Sequence, residues 1–272
     1  MTTASVDELF ALARAAENDD AYWEAVSALH TRGEKRTFDL ASVLCESYAA
    51  GERCLGADVL GQLGAAPGAS PAESEFAAAS GGVLLALLEN DEEEPAVLSS
   101  AAVGLGHLRD ERAIERLAAL ASHLSPHLRV SVVHGLMGHD DDRAVSALVR
   151  LSADDEGSVR DWATFALGVQ IDRDTAEVRD ALAARLDDSN LDARAEAIRG
   201  LARRRDERAL GAALEAAADG GGPNLDEALV LLGASTGDAR LLPHLERLRA
   251  DAEASATYGD ELERALARCG TA

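Results

Sequence analysis

The chain has 272 residues, 47% of them hydrophobic but only 3% aromatic, so its core has to be built mainly from Ala, Leu and Val. Its 49 acidic against 26 basic residues leave a formal charge of −23, a surface that repels polyanions and argues against general binding to nucleic acid or to an anionic membrane. Cys45, Cys54 and Cys269 form no CxxC pair and are odd in number, which speaks against a disulfide framework or a zinc site and for a reducing cytoplasm.

The N-terminal stretch "MTTASVDELFALARAAENDD" reads as an acidic helix and not as a basic region followed by an apolar run. No segment approaches 18 uninterrupted apolar residues, so the chain is expected neither to be secreted nor to span a membrane. From Leu29 onward a Leu-small pair recurs: Leu29-His30, Leu60-Gly61, Leu105-Gly106, Leu136-Met137, Leu167-Gly168, Leu201-Ala202 and Leu232-Gly233. Four of the six intervals are 31 residues; the others are 45 and 34.

Counting that Leu as position 8, apolar or small residues also fall at positions 0, 4 and 7: Val97, Ala101 and Gly104; Leu128, Val132 and Gly135; Val159, Ala163 and Ala166; Ala193, Ala197 and Gly200. At 100° per residue these make one narrow stripe, the mark of a helix with a single buried face. The small residues at positions 4 and 7 allow a neighbouring helix to come close, and the Gly or Ala after the Leu is expected to loosen the helix end. A second helix follows in each unit, opened by an aspartate that caps free N–H groups: "RDERAIERLAAL", "DDDRAVSALVRL", "RDERALGAALEA" and "GDARLLPHLERL". Neither helix can bury its apolar face alone, so the units must stack.

The long interval places its excess in "GAAPGASPAESE", Gly64 to Glu75, a surface loop by its Pro, Gly and Ser content. "DGGGPN", Asp219 to Asn224, is a tight connection, and the tail "DELERALARCG" is one more helix. The expected organisation is a single domain over residues 1–272, with a flexible inserted loop at about 64–76 and a capping helix at about 258–269.

The pattern Val-Arg-x-x-Ala-x-x-Ala-Leu-Gly, followed by an Asp-initiated second helix, resembles the HEAT repeat superfamily, and most of all its short prokaryotic subtype named after the phycobilisome bilin lyases. The resemblance covers roughly Asp19 to Ala250. It implies an all-α α-solenoid, a right-handed superhelix of about seven helix pairs with terminal capping helices, whose second helices line a concave face. It does not imply an activity, because such repeats serve scaffolds, regulators and a few enzymes.

Deoxyhypusine hydroxylase, a HEAT-like di-iron enzyme, takes its ligands from His-Glu dipeptides, and this chain has none. His139 with Asp140, Asp141 and Asp142 has the residue types of a metal site but coincides with the turn where acidic caps belong. Arg36, Arg112, Arg143, Arg208 and Arg240 hold equivalent places early in the second helices, where a cation opposes the helix dipole. Either each pairs with an aspartate of its own or the adjacent repeat, or the row recognises a partner's carboxylates. Position 6 of the first helices, away from the stripe, reads Asp58, Val103, His134, Phe165, Arg199 and Val230. Phe165 with Trp162 puts two aromatics mid-array, to pack on a neighbouring helix or to anchor a partner.

The expected function is therefore a non-enzymatic, cytoplasmic scaffold or adaptor that binds another protein or peptide along its curved surface. Trp162, Phe165, His134, Arg199, Arg112, Arg143 and Arg208 are the candidate partner-binding residues. The alternative is a bilin lyase-like or other small-molecule-handling enzyme with a site in the concave groove. GxSxG, Walker A, GxGxxG and HExxH motifs are missing, and no catalytic residue, cofactor or metal ligand is assigned.

Overall fold

The computed structural model describes residues 4–65, 68–90, 93–219 and 223–271, and no strand occurs among them. The chain divides into two compact units, residues 1–139 and 140–272. The first contains α1 (Val6–Ala15), α2 (Asp19–Arg32), α3 (Lys35–Cys45), α4 (Ala50–Leu60), α5 (Ala77–Leu88), α6 (Pro95–His107), α7 (Ile114–Leu120) and α8 (Pro126–Leu136). The second contains α9 (Asp142–Leu151), α10 (Gly157–Phe165), α11 (Ala176–Ala183), α12 (Leu191–Arg203), α13 (Ala209–Ala218), α14 (Pro223–Thr236), α15 (Leu242–Ala250) and α16 (Ala252–Cys269). In this order the pairs α2/α3, α4/α5 and α6/α7 of the first unit and α10/α11, α12/α13 and α14/α15 of the second follow the expected repeats, and the fold is an all-α solenoid of helical repeats.

Side-chain caps start several of the helices. Ser5 and Glu8 form a reciprocal capping box on α1, and Asn18, Ser125, Thr175, Asn190 and Asp251 each accept a backbone N–H of the turn they open. The residues at positions 0, 4, 7 and 8 of α6, α8, α10 and α12 are all buried, as the periodicity requires.

Within each unit the even-numbered helices, the first helices of the repeats, pack successively on one another, while the odd-numbered ones cover their other side. A glycine ladder sets how close the first helices come. A methyl group on Gly200 would stand 2.6 Å from the Gly168 Cα, and one on Gly61 would stand 2.7 Å from the Gly104 Cα. In both cases a position-9 glycine of one repeat meets the position-7 glycine of the next, so the backbones touch where any side chain would overpack. The position-9 glycine therefore serves close approach as well as standing at the helix end: Gly61 caps α4, Gly106 is the last residue but one of α6, and Gly168 lies in a π turn.

The interval of 34 residues also finds its reason. After Phe165 the backbone widens into a π turn, Ala166–Gln170, and then runs extended from Ile171 to the cap Thr175. The three extra residues of this repeat are taken up there. A widened turn and an extended exit leave carbonyls without helical partners, and the guanidinium of Arg204 gathers them. Its Nη2 donates to Leu167 O at 2.8 Å, Ile171 O at 2.8 Å and Arg173 O at 3.1 Å, and its Nη1 to Gly168 O at 3.1 Å and Gly200 O at 3.0 Å.

In the inserted loop, Ser74 Oγ donates to Leu63 O at 2.6 Å and Phe76 stacks on Phe38 with centroids 6.0 Å apart, while residues 66 and 67 lie outside the described residues. Residues 220–222 of the "DGGGPN" connection lie outside them as well. The last helix is broken at Gly259, whose φ of 38° is non-helical, and residues 260–269 form its final segment.

Candidate partner-binding groove

The arginine row resolves into pairs. Asp110, Asp141, Asp206 and Asp238 each accept the backbone N–H of the arginine two residues on, and each carboxylate also fills that arginine's fork. Arg112 Nε lies 2.8 Å from Asp110 Oδ1, Arg143 Nε 3.0 Å from Asp141 Oδ1, Arg208 Nε 2.9 Å from Asp206 Oδ1 and Arg240 Nε 2.9 Å from Asp238 Oδ1. Arg208 reaches Asp180 of the preceding second helix as well, at 2.7 Å. Arg36 has no such aspartate and pairs with Asp7 on α1. The hydrogen bonds from arginine hold the Asp141, Asp206 and Asp238 carboxyls at about 2. The dipole's objection to a cation is thereby answered by the capping carboxylate two residues earlier.

A second ladder escaped notice in the sequence although its arginines stand in the Val-Arg signature. At position 1, Arg53 and Arg160 each give Nη1 to two carbonyls of the connection that leads into their helix, Ser47 and Tyr48 or Asp154 and Asp155. Their remaining nitrogens pair with a buried acid of the following repeat, Glu93 at 2.7 Å and Asp188 at 2.8 Å. Only the recurrence of Arg at position 1 pointed to it.

In the turn of His139, Asp140 and Asp142 pair with Arg173 and Asp141 with Arg143, so all three carboxylates are engaged by guanidinium groups. Among the described residues no group of three or more His, Cys, Asp or Glu is arranged to hold a metal ion. His134, on α8, is half-buried, and burial together with the nearby His107 pulls its imidazole below the usual range. Asp58, the position-6 residue of α4, is enclosed: it accepts the Tyr22 hydroxyl at 2.6 Å, and burial pushes its carboxyl up. Burial also pushes the Cys45 thiol up to about 12 and raises Cys54 and Cys269, the direction opposite to that of a nucleophile.

The even-numbered helices of residues 140–272 carry the open site. A groove of 530 Å³ runs over α12, α14 and α16, lined by Arg199, Glu227, Val230, Leu231, Thr257, Tyr258 and Glu261. It lies on the first helices α12 and α14 and the terminal helix α16, and not on the second helices. Two of its lining residues, Arg199 and Val230, are position-6 residues, and Phe165 holds the same position on α10. Phe165 is half-buried and meets Trp162 edge to face, with centroids 5.9 Å apart and planes at 89°. Trp162 keeps 38% of its surface exposed, so the pair neither disappears into the core nor stands free.

The electrostatics are acidic. Arg199 Nε donates to Glu227 Oε2 at 2.7 Å, and its Nη1 is 3.9 Å from Glu196 Oε2. Glu196 is only 9% exposed, and that Oε2 accepts no hydrogen bond. Burial raises its carboxyl above the usual range, with Asp161, Glu227 and Asp192 adding to the effect and Arg199 opposing it. Asp161 is raised too, by burial and then by Asp192, and the Tyr258 hydroxyl by burial and then by Asp226 and Glu227. Of the candidate residues, the structure thus brings Arg199 into a groove and pairs Trp162 with Phe165, whereas Arg112, Arg143 and Arg208 belong to the aspartate ladder.

The family model described as HEAT repeats matches residues 82–168. Residues 82–168 carry HEAT repeats. The chain is 32% identical to Protein YibA of Escherichia coli K12 over 97 residues, 36% of this chain and 34% of YibA, so the aligned part spans about a third of that curated relative. The X-ray structure of E. coli YibA superposes with a TM-score of 0.72 at 25% identity, over 96% of this chain and 93% of that one. The crystal structure of an engineered protein shares the fold at a TM-score of 0.59 and 17% identity, covering 97% and 78% of the two chains. No described helix is long and apolar enough to cross a membrane.

Proposed function

We propose that this HEAT repeat protein is a non-enzymatic scaffold or adaptor of the cytoplasm that holds a segment of another protein in the groove over α12, α14 and α16. The observation that carries the reading is the open groove, where Val230, Leu231 and Tyr258 stand beside Arg199, Glu227 and Glu261, together with the half-exposed Trp162–Phe165 pair on α10 of the same helix row. An open channel with a few polar groups suits a peptide backbone; a small-molecule enzyme needs an enclosed pocket with converging, activated groups. Protonated thiols do not favour covalent bilin chemistry, and a lining with two carboxylates against one guanidinium does not favour phosphate binding.

The test is affinity capture from the native host with wild-type protein and with Trp162→Ala/Phe165→Ala as baits, read by quantitative mass spectrometry alongside thermal melting. One protein recovered in stoichiometric amount by the wild type and depleted about tenfold or more by the variant supports the reading. Undiminished recovery with a lowered melting temperature would make the two rings core residues and sink it.

A further inference from the structure

The groove has a register, and it suggests the chemistry of the occupant. Gly233 closes against Ala265, with a methyl group on Gly233 standing 3.1 Å from the Ala265 Cβ, so Ala265 takes on α16 the place that Gly200 takes on α12. Four residues before these contact points, at position 3, stand Trp162 on α10, Glu196 on α12, Glu227 on α14 and Glu261 on α16. Three carboxylates thus follow one another on adjacent helices, headed by a half-exposed indole. Two of them line the groove, and the third, Glu196, is nine-tenths buried with an oxygen that accepts no hydrogen bond. Arg199 is shared between Glu196 and Glu227, and Glu261 pairs with Arg264, whose side chain is largely exposed and replaceable. The nearby Asp161 and Asp192 leave the row short of positive charge.

Packed helices lie about 8–10 Å apart. A polyproline II segment advances about 9 Å in each turn of three residues, so its side chains at i, i+3 and i+6 face one side at that same spacing. Resting on the docking reading above, we propose that the position-3 row is a track for a basic, extended segment that carries Arg or Lys at every third residue. Successive cations meet Glu227 and Glu261, the buried Glu196 adds its charge from behind Arg199, and Trp162 takes the end of the segment by stacking or through the face of its ring. The overall charge of −23 steers such a segment in.

The experiment uses the full chain and twelve-residue synthetic peptides in calorimetry at low and high salt. The peptides are built from Arg-Pro-Pro, Gln-Pro-Pro, Glu-Pro-Pro and Arg-Pro-Pro-Pro repeats. The Arg-Pro-Pro peptide is expected to bind about tenfold more tightly than the Gln and Arg-Pro-Pro-Pro peptides, and to weaken with salt. Glu196→Gln/Glu227→Gln is expected to cost about tenfold, while Glu24→Gln/Glu46→Gln, which removes the same charge from the other unit, leaves affinity unchanged. Equal affinity for the Gln peptide overturns the cationic partner but leaves the docking reading standing, and equal affinity for the four-residue repeat overturns the spacing. Unchanged binding by Glu196→Gln/Glu227→Gln overturns the site. Failure of every peptide to bind overturns the track for a basic segment, and the docking reading then stands or falls by the affinity capture.

Discussion

Replacing Arg204 tests how the repeat around Trp162 is held. Its side chain is only 7% exposed, and its guanidinium donates to four carbonyls of the π turn and its exit and to Gly200 O of its own helix. The two Nη groups carry four N–H bonds between them, so at a net of about 1 kcal/mol each these contacts amount to about 4 kcal/mol. Burying the guanidinium offsets roughly 1–2 kcal/mol of this, in keeping with the downward pull that burial exerts on its pKa. Arg204→Met should therefore destabilise residues 140–272 by about 2–3 kcal/mol, or about 10 °C in melting temperature. Arg204→Lys should recover less than half, because one ammonium cannot span acceptors on both sides of the turn. Urea unfolding in a Trp23→Phe background makes Trp162 the only indole, so fluorescence reports on that unit and circular dichroism on the whole chain. A loss below about 1 kcal/mol for Arg204→Met, or full rescue by lysine, would refute the assignment of the guanidinium as the seal of the turn.

Arg205 has φ of 54°, in the left-handed region where Gly237 stands at the same place before an Asp-x-Arg cap, and its side chain is exposed. Arg205→Gly should raise stability by about 0.5 kcal/mol, the relief of strain exceeding the entropy of a new glycine, and an unchanged or lowered urea midpoint would contradict this. The pH profile should have two limbs. Asp141, Asp206 and Asp238 have folded values of about 2, below the unfolded ones, so their contribution is complete above about pH 4 and is lost as pH falls towards 2. Glu196, Asp161 and Asp58 are raised by burial, so their ionisation opposes folding at neutral pH, and stability should climb as pH falls towards the ordinary carboxylate range. A melting temperature that declines steadily from pH 7 downward would show that these buried acids are not perturbed in that direction.

The repeats, their buried stripes and their aspartate caps were legible because each follows from spacing along one helix, a property that the chain carries locally. The pairing of Arg112, Arg143 and Arg208 was legible for the same reason, since Asp and Arg stand two residues apart and the cap brings them together. Arg204 was not. Its acceptors lie up to 37 residues away, and the only trace of them in the sequence was an interval of 34 where 31 was the rule.

The groove shows the same division. By itself the sequence determined that helix pairs stack, which residues they bury and which stand at positions 3 and 6, because helical periodicity assigns every residue to a face. The tertiary structure decided that the first helices, drawn together at Gly168 and Gly200, carry the open groove, and that Trp162 and Phe165 pair edge to face. It also decided that Glu196, Glu227 and Glu261 fall in one row. Those outcomes depend on how closely one helix backbone can approach the next, and that distance is set by contacts between residues about 30 positions apart, which no local pattern encodes.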